Sequence, residues 1–195
     1  MGVSDSFATA SEFSQYIGNT EPTDLARMQG FLASASAVIR KYTGQTLSQV
    51  VGDVVTIQPM YSLTTGQAFP LPGAAYGQVI LLPQRPVTAV SIVANSVSVT
   101  AFVFTSSGIV SRTDGNGWPY GATVTYTHGF DELSDEYAAI KNICLEAASR
   151  AYTLNERSAS EAMGSTLMES AGYAPEVFLT EGEKAQLQFG RAYVG

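Results

Sequence analysis

From residue 54 to residue 111 the chain carries a single charged side chain, Arg85, whereas both flanking stretches have an ordinary density of charge. Within this region apolar residues alternate with polar ones or form short β-branched runs, a pattern typical of strands. On either side, apolar residues recur every three or four positions, as they do on one face of a helix. The sequence therefore predicts an α+β fold in which a β lobe is inserted between helical segments.

Two helices are predicted before the β lobe. Thr9 and Glu12 have the spacing of a capping box, and Gly18 would end the helix that they open. Pro22 begins a second helix that runs to Gly44. The residues predicted to face inward are Phe13, Tyr16 and Ile17 in the first helix and Leu25, Met28, Leu32, Ala35, Ile39 and Tyr42 in the second.

Two more helices are predicted after the lobe. Ser134, followed by Asp135 and Glu136, is a typical helix start, because acidic residues there favour the unpaired N–H groups. We expect this helix to pack against the second one. Thr180 and Glu183 form another capping box, which would open a short last helix through Leu187 and Phe189. The third helix would face inward with Ile140, Ile143, Cys144, Ala147, Ala151 and Leu154.

Short strands are expected throughout the weakly charged region. They are separated by turn residues, of which Asn95 with Ser96 and the stretch 114–117 are the clearest. Six or seven such strands make a small antiparallel sandwich or barrel. The predicted strands lie at Val55 with Ile57 and at 79–82, 87–93, 97–99, 101–104, 108–112 and 122–128.

Four segments follow from these elements. Residues 1–48 hold the N-terminal helices, 49–130 the inserted β lobe and 131–155 the long returning helix. Residues 156–195 form a flexible arm and a C-terminal docking helix, because 155–175 shows no strong hydrophobic period and is expected to order only against a partner. The whole would be a helical bundle with a β insertion.

The charge balance narrows the classes of partner. Ten basic and seventeen acidic residues leave a net charge of −7, which repels a phosphate backbone or an anionic lipid surface. No apolar run is long enough to span a bilayer, so no membrane role is expected. Cys144 is the only cysteine and has no partner for an internal disulfide.

His128 is the only histidine and therefore the first candidate for a catalytic base. A serine or cysteine nucleophile needs a base with a distant orienting group, and Asp131 lies too close in sequence to serve. We therefore expect His128 to be structural. A zinc site needs three or four Cys or His ligands, which this chain does not have. We predict no catalytic residue, metal or cofactor.

The densest acidic group is Asp131, Glu132, Asp135 and Glu136. Paired carboxylates can act as general acid and base or collect Mg²⁺ or Ca²⁺. Carboxylates at a helix start are also favoured by the helix dipole, and we prefer that explanation.

Two features of the lobe are candidates for an interface. One is an aromatic set that could form a platform for sugar or protein, although most aromatic residues in a β lobe fill its core. The other is Arg85, framed by Pro83 and Pro86, which has few nearby carboxylates in sequence, so a neighbouring chain could supply one. The aromatic set is Trp118, Tyr120, Tyr61, Phe69 and Tyr76, beside Pro119.

Three stretches together resemble a known family. They are LLPQRPVTAVSIV at 81–93, WPYGATVTYTHGFDELSDEYAAIKNICLEAASRAYTLN at 118–155, and LTEGEK at 179–184. The second is the most specific, with a strand ending in a Tyr-Thr-His-Gly turn, an acidic helix start and a helix carrying Leu-Glu-Ala-Ala-Ser-Arg-Ala. The chain is similar to the head-to-tail adaptors (head completion or connector proteins) of long-tailed double-stranded DNA bacteriophages.

The resemblance implies a non-enzymatic ring, usually of twelve copies, in the virion neck. The chain would be made in the host cytoplasm, bind the portal and a tail-side connector (stopper or tail terminator), and let DNA pass without reading its sequence. The helices beginning at Pro22 and Ser134 would form the ring, and 179–195 would dock on the portal. The predicted interface residues are Arg85, Trp118, Met163, Met168, Tyr173, Leu179, Leu187, Phe189 and Tyr193.

Two other functions stay open at this point. A carbohydrate-binding or adhesion module could be built on an aromatic platform of the lobe. A hydrolase could use the carboxylates between residues 131 and 136. Neither accounts for the capped helices that flank the lobe.

Overall fold

The chain forms two compact units. The computed structural model describes residues 6–18, 25–59, 74–76, 78–119, 121–164 and 177–190. A helical unit takes the described residues up to Gly44 and those from Leu133 onward, and a β unit takes Gln45–Glu132. The chain thus leaves and rejoins the helical unit a few residues from the expected boundaries at 49 and 130. The predicted mixed α+β class, with helices and antiparallel sheets, is confirmed.

The first two helices are α1, Ala10–Tyr16, and α2, Leu25–Thr43. The predicted capping box of α1 is present, since Thr9 Oγ1 accepts a hydrogen bond from the Glu12 N–H and the Glu12 carboxylate accepts one from the Thr9 N–H. The inward positions of Tyr16 and Leu25 were wrong, because both side chains are about half exposed at helix ends. The predicted start of α2 at Pro22 lies outside the described residues.

Helix α3 spans Asp135–Gly164 and is longer than predicted. Ser134 caps it, with Oγ accepting a hydrogen bond from the Tyr137 N–H at 3.2 Å. Its last turns lack an apolar period but contain strong helix formers and no proline, so propensity extends the helix through part of the expected flexible arm. That part of the arm was therefore wrong, and residues 165–176 lie outside the described part. Leu154, expected to face inward, is exposed.

The last helix, α4, spans Glu181–Gln186 and continues as a 3₁₀ turn at Leu187–Gly190. Its capping box between Thr180 and Glu183 is present, as predicted. Helices α2 and α3 pack against each other, also as predicted. The fully buried side chains of this unit include Phe13, Met28, Leu32, Ile39, Ile140 and Leu187.

The β unit contains two sheets. One has the strand order β1-β9-β5-β6 and is antiparallel; the other has the order β2-β3-β4-β8-β7 and is antiparallel except for the parallel pair β2 and β3. The strands are β1 Val50–Thr56, β2 Gln58–Pro59, β3 Ala74–Tyr76, β4 Val79–Leu81, β5 Val87–Ala94, β6 Val97–Val99, β7 Phe102–Phe104, β8 Ile109–Arg112 and β9 Thr123–His128.

Both sheets contribute to one apolar core. Strand β9, at the centre of its sheet, alternates buried Val124, Tyr126 and His128 with partly exposed threonines. This period of two is the alternation that predicted the strand. The core side chains are Ile57, Ile80, Leu82, Val87, Ile92, Ala94, Val110, Trp118, Ala122, Val124 and Tyr126.

The two ends of the β unit meet. Ser48 and Phe130 form a bridge between the incoming and outgoing segments, and the Phe130 N–H donates to the Leu47 carbonyl at 2.7 Å. The Gly129 N–H donates to the Pro86 carbonyl at 2.9 Å, which adds the loop before β5. We call residues 45–48, 83–86 and 128–130 together the stem.

Glutamine side chains hold the stem together. Gln45 accepts a hydrogen bond from the Arg85 N–H at 2.8 Å and donates one to the Pro83 carbonyl at 3.3 Å. Gln84 in turn accepts one from the Thr46 N–H at 2.8 Å. Each glutamine therefore replaces a backbone partner that irregular chain cannot provide.

Candidate functional site

His128 lies at the end of β9, behind an aspartate of β1. Its Nε2 is 3.2 Å from Asp53 Oδ2, and the ring is almost fully buried. A carboxylate only accepts hydrogen bonds, so Nε2 carries the proton and the buried Nδ1 is left with no partner among the described residues. Burial lowers the pKa of His128, and the nearby Asp53 carboxylate opposes this effect.

Tyr126 lies beside His128 on the same face of β9, with ring centroids 5.0 Å apart. Burial and the charge of Asp53 raise the pKa of its hydroxyl, so the phenol stays protonated. With both rings enclosed, the Asp53, Tyr126 and His128 group is positioned to hold β1 on β9. The rings have no open face towards a substrate, which fits the structural role expected for His128.

The four carboxylates near the start of α3 point to solvent. Asp131, Glu132, Asp135 and Glu136 are all exposed. Between them Leu133 projects outward with 95% of its side chain exposed. Within the described residues no group of three or more His, Cys, Asp or Glu side chains is arranged to hold a metal ion.

Cys144 lies in the core of the helical unit. Its thiol is 3.3 Å from Ser36 Oγ, and burial raises its pKa. The side chain acts as a small core residue, as its place on the inward face of α3 predicts. Among the described helices, none combines the length and the apolar content needed to cross a membrane.

Trp118 belongs to the core of the β unit. Only 5% of the residue is exposed, its Nε1–H donates to the Gln78 carbonyl at 2.8 Å, and its ring packs on Phe102. The interface role expected for Trp118 was therefore wrong, because its ring is not available to a partner. An aromatic platform for sugar loses its tryptophan for the same reason. Tyr61, Phe69 and Tyr120 lie outside the described residues, as does the side chain of Tyr76.

Leu179 and Leu187 are also buried rather than displayed. They anchor the last turns to the helical unit, so their expected contact with a partner was wrong. Met163 lies in α3 and Phe189 in the 3₁₀ turn, but their side chains are outside the described part, as are the residues Met168, Tyr173 and Tyr193.

Arg85 lies in the stem and is half buried. Its backbone N–H donates to the Gln45 side chain. The methylene groups of Arg85 lie over Gly108, where an added Cβ would be 3.7 Å from Arg85 Cγ. Its Nε is buried without a hydrogen-bond partner in the described residues. Arg112, the other arginine between residues 45 and 132, forms an ion pair with Asp114.

The outer face of the four-stranded sheet is uncharged. The outward side chains of β9 are Thr123, Thr125 and Thr127, and the first two lie in register with Thr56 and Val54 of β1 on one side. On the other side of β9 the same face continues through Ser91 and Val93 of β5. These side chains are exposed or partly exposed. The face fits contact with another uncharged protein surface, since charged residues are depleted at interface cores.

A shallow groove of about 320 Å³ lies on the helical unit, lined by Ser149, Arg150, Thr153, Leu154 and Phe178. Arg150 donates to both carboxylate oxygens of Glu183 at 2.8 Å and to the Phe178 carbonyl at 3.0 Å. Because its charge is already neutralised, the groove offers no anion site.

Sequence reasoning found Arg85 but missed two surface features. The outer face was not predicted. The alternation in β9 indicated a strand, but the threonines at 123, 125 and 127 also mark the side that faces away from the core. The exposed Leu133 sits inside an acidic stretch that was interpreted only as a helix start.

No protein-family model matches this chain, and no curated protein matches it either.

Proposed function

We propose that the chain is a structural protein that assembles into a ring, in the manner of bacteriophage head-to-tail adaptors. The ring, of twelve copies, sits in the virion neck between the portal and a tail-side connector, and DNA passes through it. The protein is not an enzyme and uses no cofactor.

The proposal includes a finer description of the fold. The helices α1 to α4 form a bundle, and the two sheets form a small β sandwich inserted into it. The two sheets share one core, which is how a sandwich buries its inner faces. The α2–α3 pair is the ring-forming element, and the exposed side chains of the segment that follows Leu179 face the portal.

The observation that carries the proposal is the combination of three sequence stretches. Residues 81–93 contribute β5, 118–155 contribute β9 and most of α3, and 179–184 contribute the capped start of α4. The second stretch crosses the connection from β9 of the inserted unit to α3, so the resemblance extends over one connection of the fold and not only over separate motifs.

The groups available for chemistry also support a non-catalytic role. His128 is enclosed with Asp53 and Tyr126, and Cys144 is in the core. The carboxylates from 131 to 136 are exposed around a helix start, where the dipole favours them. In these positions the side chains contribute to the stability of the fold.

Charge supports a passive channel. Each copy carries −7, and a ring multiplies that charge. A strongly negative assembly repels a phosphate backbone, so DNA would slide through it without being held. The uncharged outer face of the four-stranded sheet meanwhile suits contact with protein neighbours.

The test is co-expression with the portal protein encoded in the same genome, followed by electron microscopy and mass measurement of the complex. We expect the isolated chain to be largely monomeric in dilute solution and to form a symmetric ring on the portal. A chain that stays monomeric with its portal, or that is found outside the neck of intact particles, contradicts the proposal.

A further inference from the structure

Arg85 is an unmatched cation in the β unit. Its Nε is buried and makes no hydrogen bond within the described residues, although buried polar groups are almost always paired. The methylene groups of its side chain lie over Gly108, and its backbone N–H is bound by Gln45, so the side chain is anchored at its base. The buried Nε is out of reach of another molecule, but the terminal Nη1 and Nη2 are not among the buried unpaired atoms and make no hydrogen bond within the described residues, so they are the donors open to an external acceptor.

The complementary group is a carboxylate. A guanidinium binds a carboxylate through two parallel N–H···O bonds, and the pair is stronger than neutral hydrogen bonds. A polyanion such as DNA fits less well, because a single arginine on a chain of net charge −7 does not offset the repulsion of many phosphates. A single acidic side chain avoids this cost.

A second copy of the chain carries a suitable acidic group. Glu132 is exposed and follows Phe130 of the stem, and the described residues give its carboxylate no ion pair. Asp131 is already engaged within the chain. Asp135 and Glu136 occupy the first turn of α3, where the helix dipole stabilises them. Among the carboxylates next to the stem, Glu132 is therefore the one that remains available for another copy.

We propose that Arg85 of one copy binds Glu132 of a second copy. This contact deepens the proposed function, since it rests on self-assembly and names one pair of residues that joins neighbours. Because an exposed ion pair contributes little by itself, the contact sets which surfaces meet while apolar and hydroxyl groups supply the buried area.

Charge reversal of the full-length chain tests the pair. Self-association of wild type, Arg85→Glu and Glu132→Lys is measured by sedimentation over a concentration series into the millimolar range. We expect each variant alone to associate at least about tenfold more weakly than wild type, because like charges then face each other. An equimolar mixture of the two variants should associate as wild type does, since each contact again joins opposite charges.

Glu181→Lys is the matched control, because it reverses a carboxylate of α4 that is 90% exposed, lies outside the α2–α3 pair and should leave self-association unchanged. Glu132→Lys changes an exposed residue, so a loss of association there does not reflect misfolding. The recovery in the mixture requires both variants to be folded.

Several results would overturn the pairing. Arg85→Glu that associates as wild type, or a mixture that does not recover, removes it while the ring on the portal remains to be judged by microscopy. Wild type that stays monomeric throughout the series also removes it. Binding of short duplex DNA that is lost in Arg85→Glu would instead assign Arg85 to a nucleic acid.

Discussion

Gly129 is the residue on which the stem depends most. Its φ is +84°, and a Cβ at this position would lie 2.2 Å from the Ser48 carbonyl oxygen. Both the left-handed backbone and the close approach of the incoming chain therefore require glycine. The neighbour is backbone that is itself paired, so it has little freedom to move away.

We expect Gly129→Ala to lower the free energy of unfolding by about 3 kcal/mol or more, because strain and a backbone clash add. Urea denaturation of the full chain measures the loss. Gly115→Ala is the matched control, since its φ is +77° but no atom lies within 4 Å of the new Cβ. It should cost only about 1–2 kcal/mol. Equal losses in the two variants would show that the contact with Ser48 is not tight.

His128 gives the β unit a specific dependence on pH. Burial lowers the pKa of the folded state below the unfolded value of about 6.5, with Asp53 opposing the shift. The unfolded chain then binds the proton more tightly than the folded one. Stability from this group is complete above pH 6.5 and falls as the pH drops towards the folded-state pKa.

We therefore expect the free energy of unfolding to decrease as the pH falls below 6.5, by about 1.4 kcal/mol for each unit that separates the two pKa values. Denaturation curves at several pH values measure it. In His128→Gln, whose amide can still donate to Asp53, this decrease should disappear. A slope that persists in His128→Gln would assign it to other groups.

At the scale of elements, the same capping motif occurs in two environments. Glu12 caps α1 and binds Lys141 of α3 at 2.8 Å, with more than a third of its side chain exposed. Glu183 caps α4 and binds Arg150 of α3, with 4% exposed. Burial alone would raise the pKa of both carboxyls, but hydrogen bonds from the basic partner and from the capping threonine outweigh it and lower both values.

The two positions should respond differently to the same change. Glu183→Gln leaves Arg150 half buried without its charge partner, and we expect a loss of about 3 kcal/mol. Glu12→Gln, in a wetter site, should cost about 0.5–1 kcal/mol. Thermal or urea unfolding of the two variants provides the comparison. Similar losses would mean that the α4 contact is not more buried in solution.

Elements defined by local chemistry could be predicted from the sequence. Thr9 with Glu12, Thr180 with Glu183, and the Asn95–Ser96 turn act within a few residues, so their spacing alone identifies them. Asn95 and Ser96 both have positive φ, as a two-residue hairpin turn requires. The end of α3 was missed because helix propensity, without an apolar period, keeps it helical to Gly164.

Contacts between distant residues could not be predicted. The parallel pair of β2 and β3 depends on chain brought together over many residues, and neither strand has a period of its own. Trp118 was predicted as an interface residue, and its burial depends on Phe102 and on the Gln78 carbonyl, which lie many residues away in the chain. Arg85 was recognised because its isolation is a property of composition, whereas its buried Nε needed the fold.

At the scale of the whole molecule, the β unit has what an independent domain needs. It has one core shared by two sheets, and its ends meet at Ser48 and Phe130. We expect a fragment of residues 45–132 to fold alone and unfold cooperatively, as followed by circular dichroism and NMR dispersion. A fragment without dispersed signals would show that the helical unit is needed to form the core.

The meeting of the two ends also decides how mechanical force travels through the protein. The short hydrogen bond between Phe130 and Leu47 joins the strand that enters the β unit to the one that leaves it. A force that pulls the helical segments before and after the β unit apart is borne first by that hydrogen bond. The two sheets bear the force only after the bond has broken. Under such tension the protein would yield first at this hydrogen bond while its sheets stay folded.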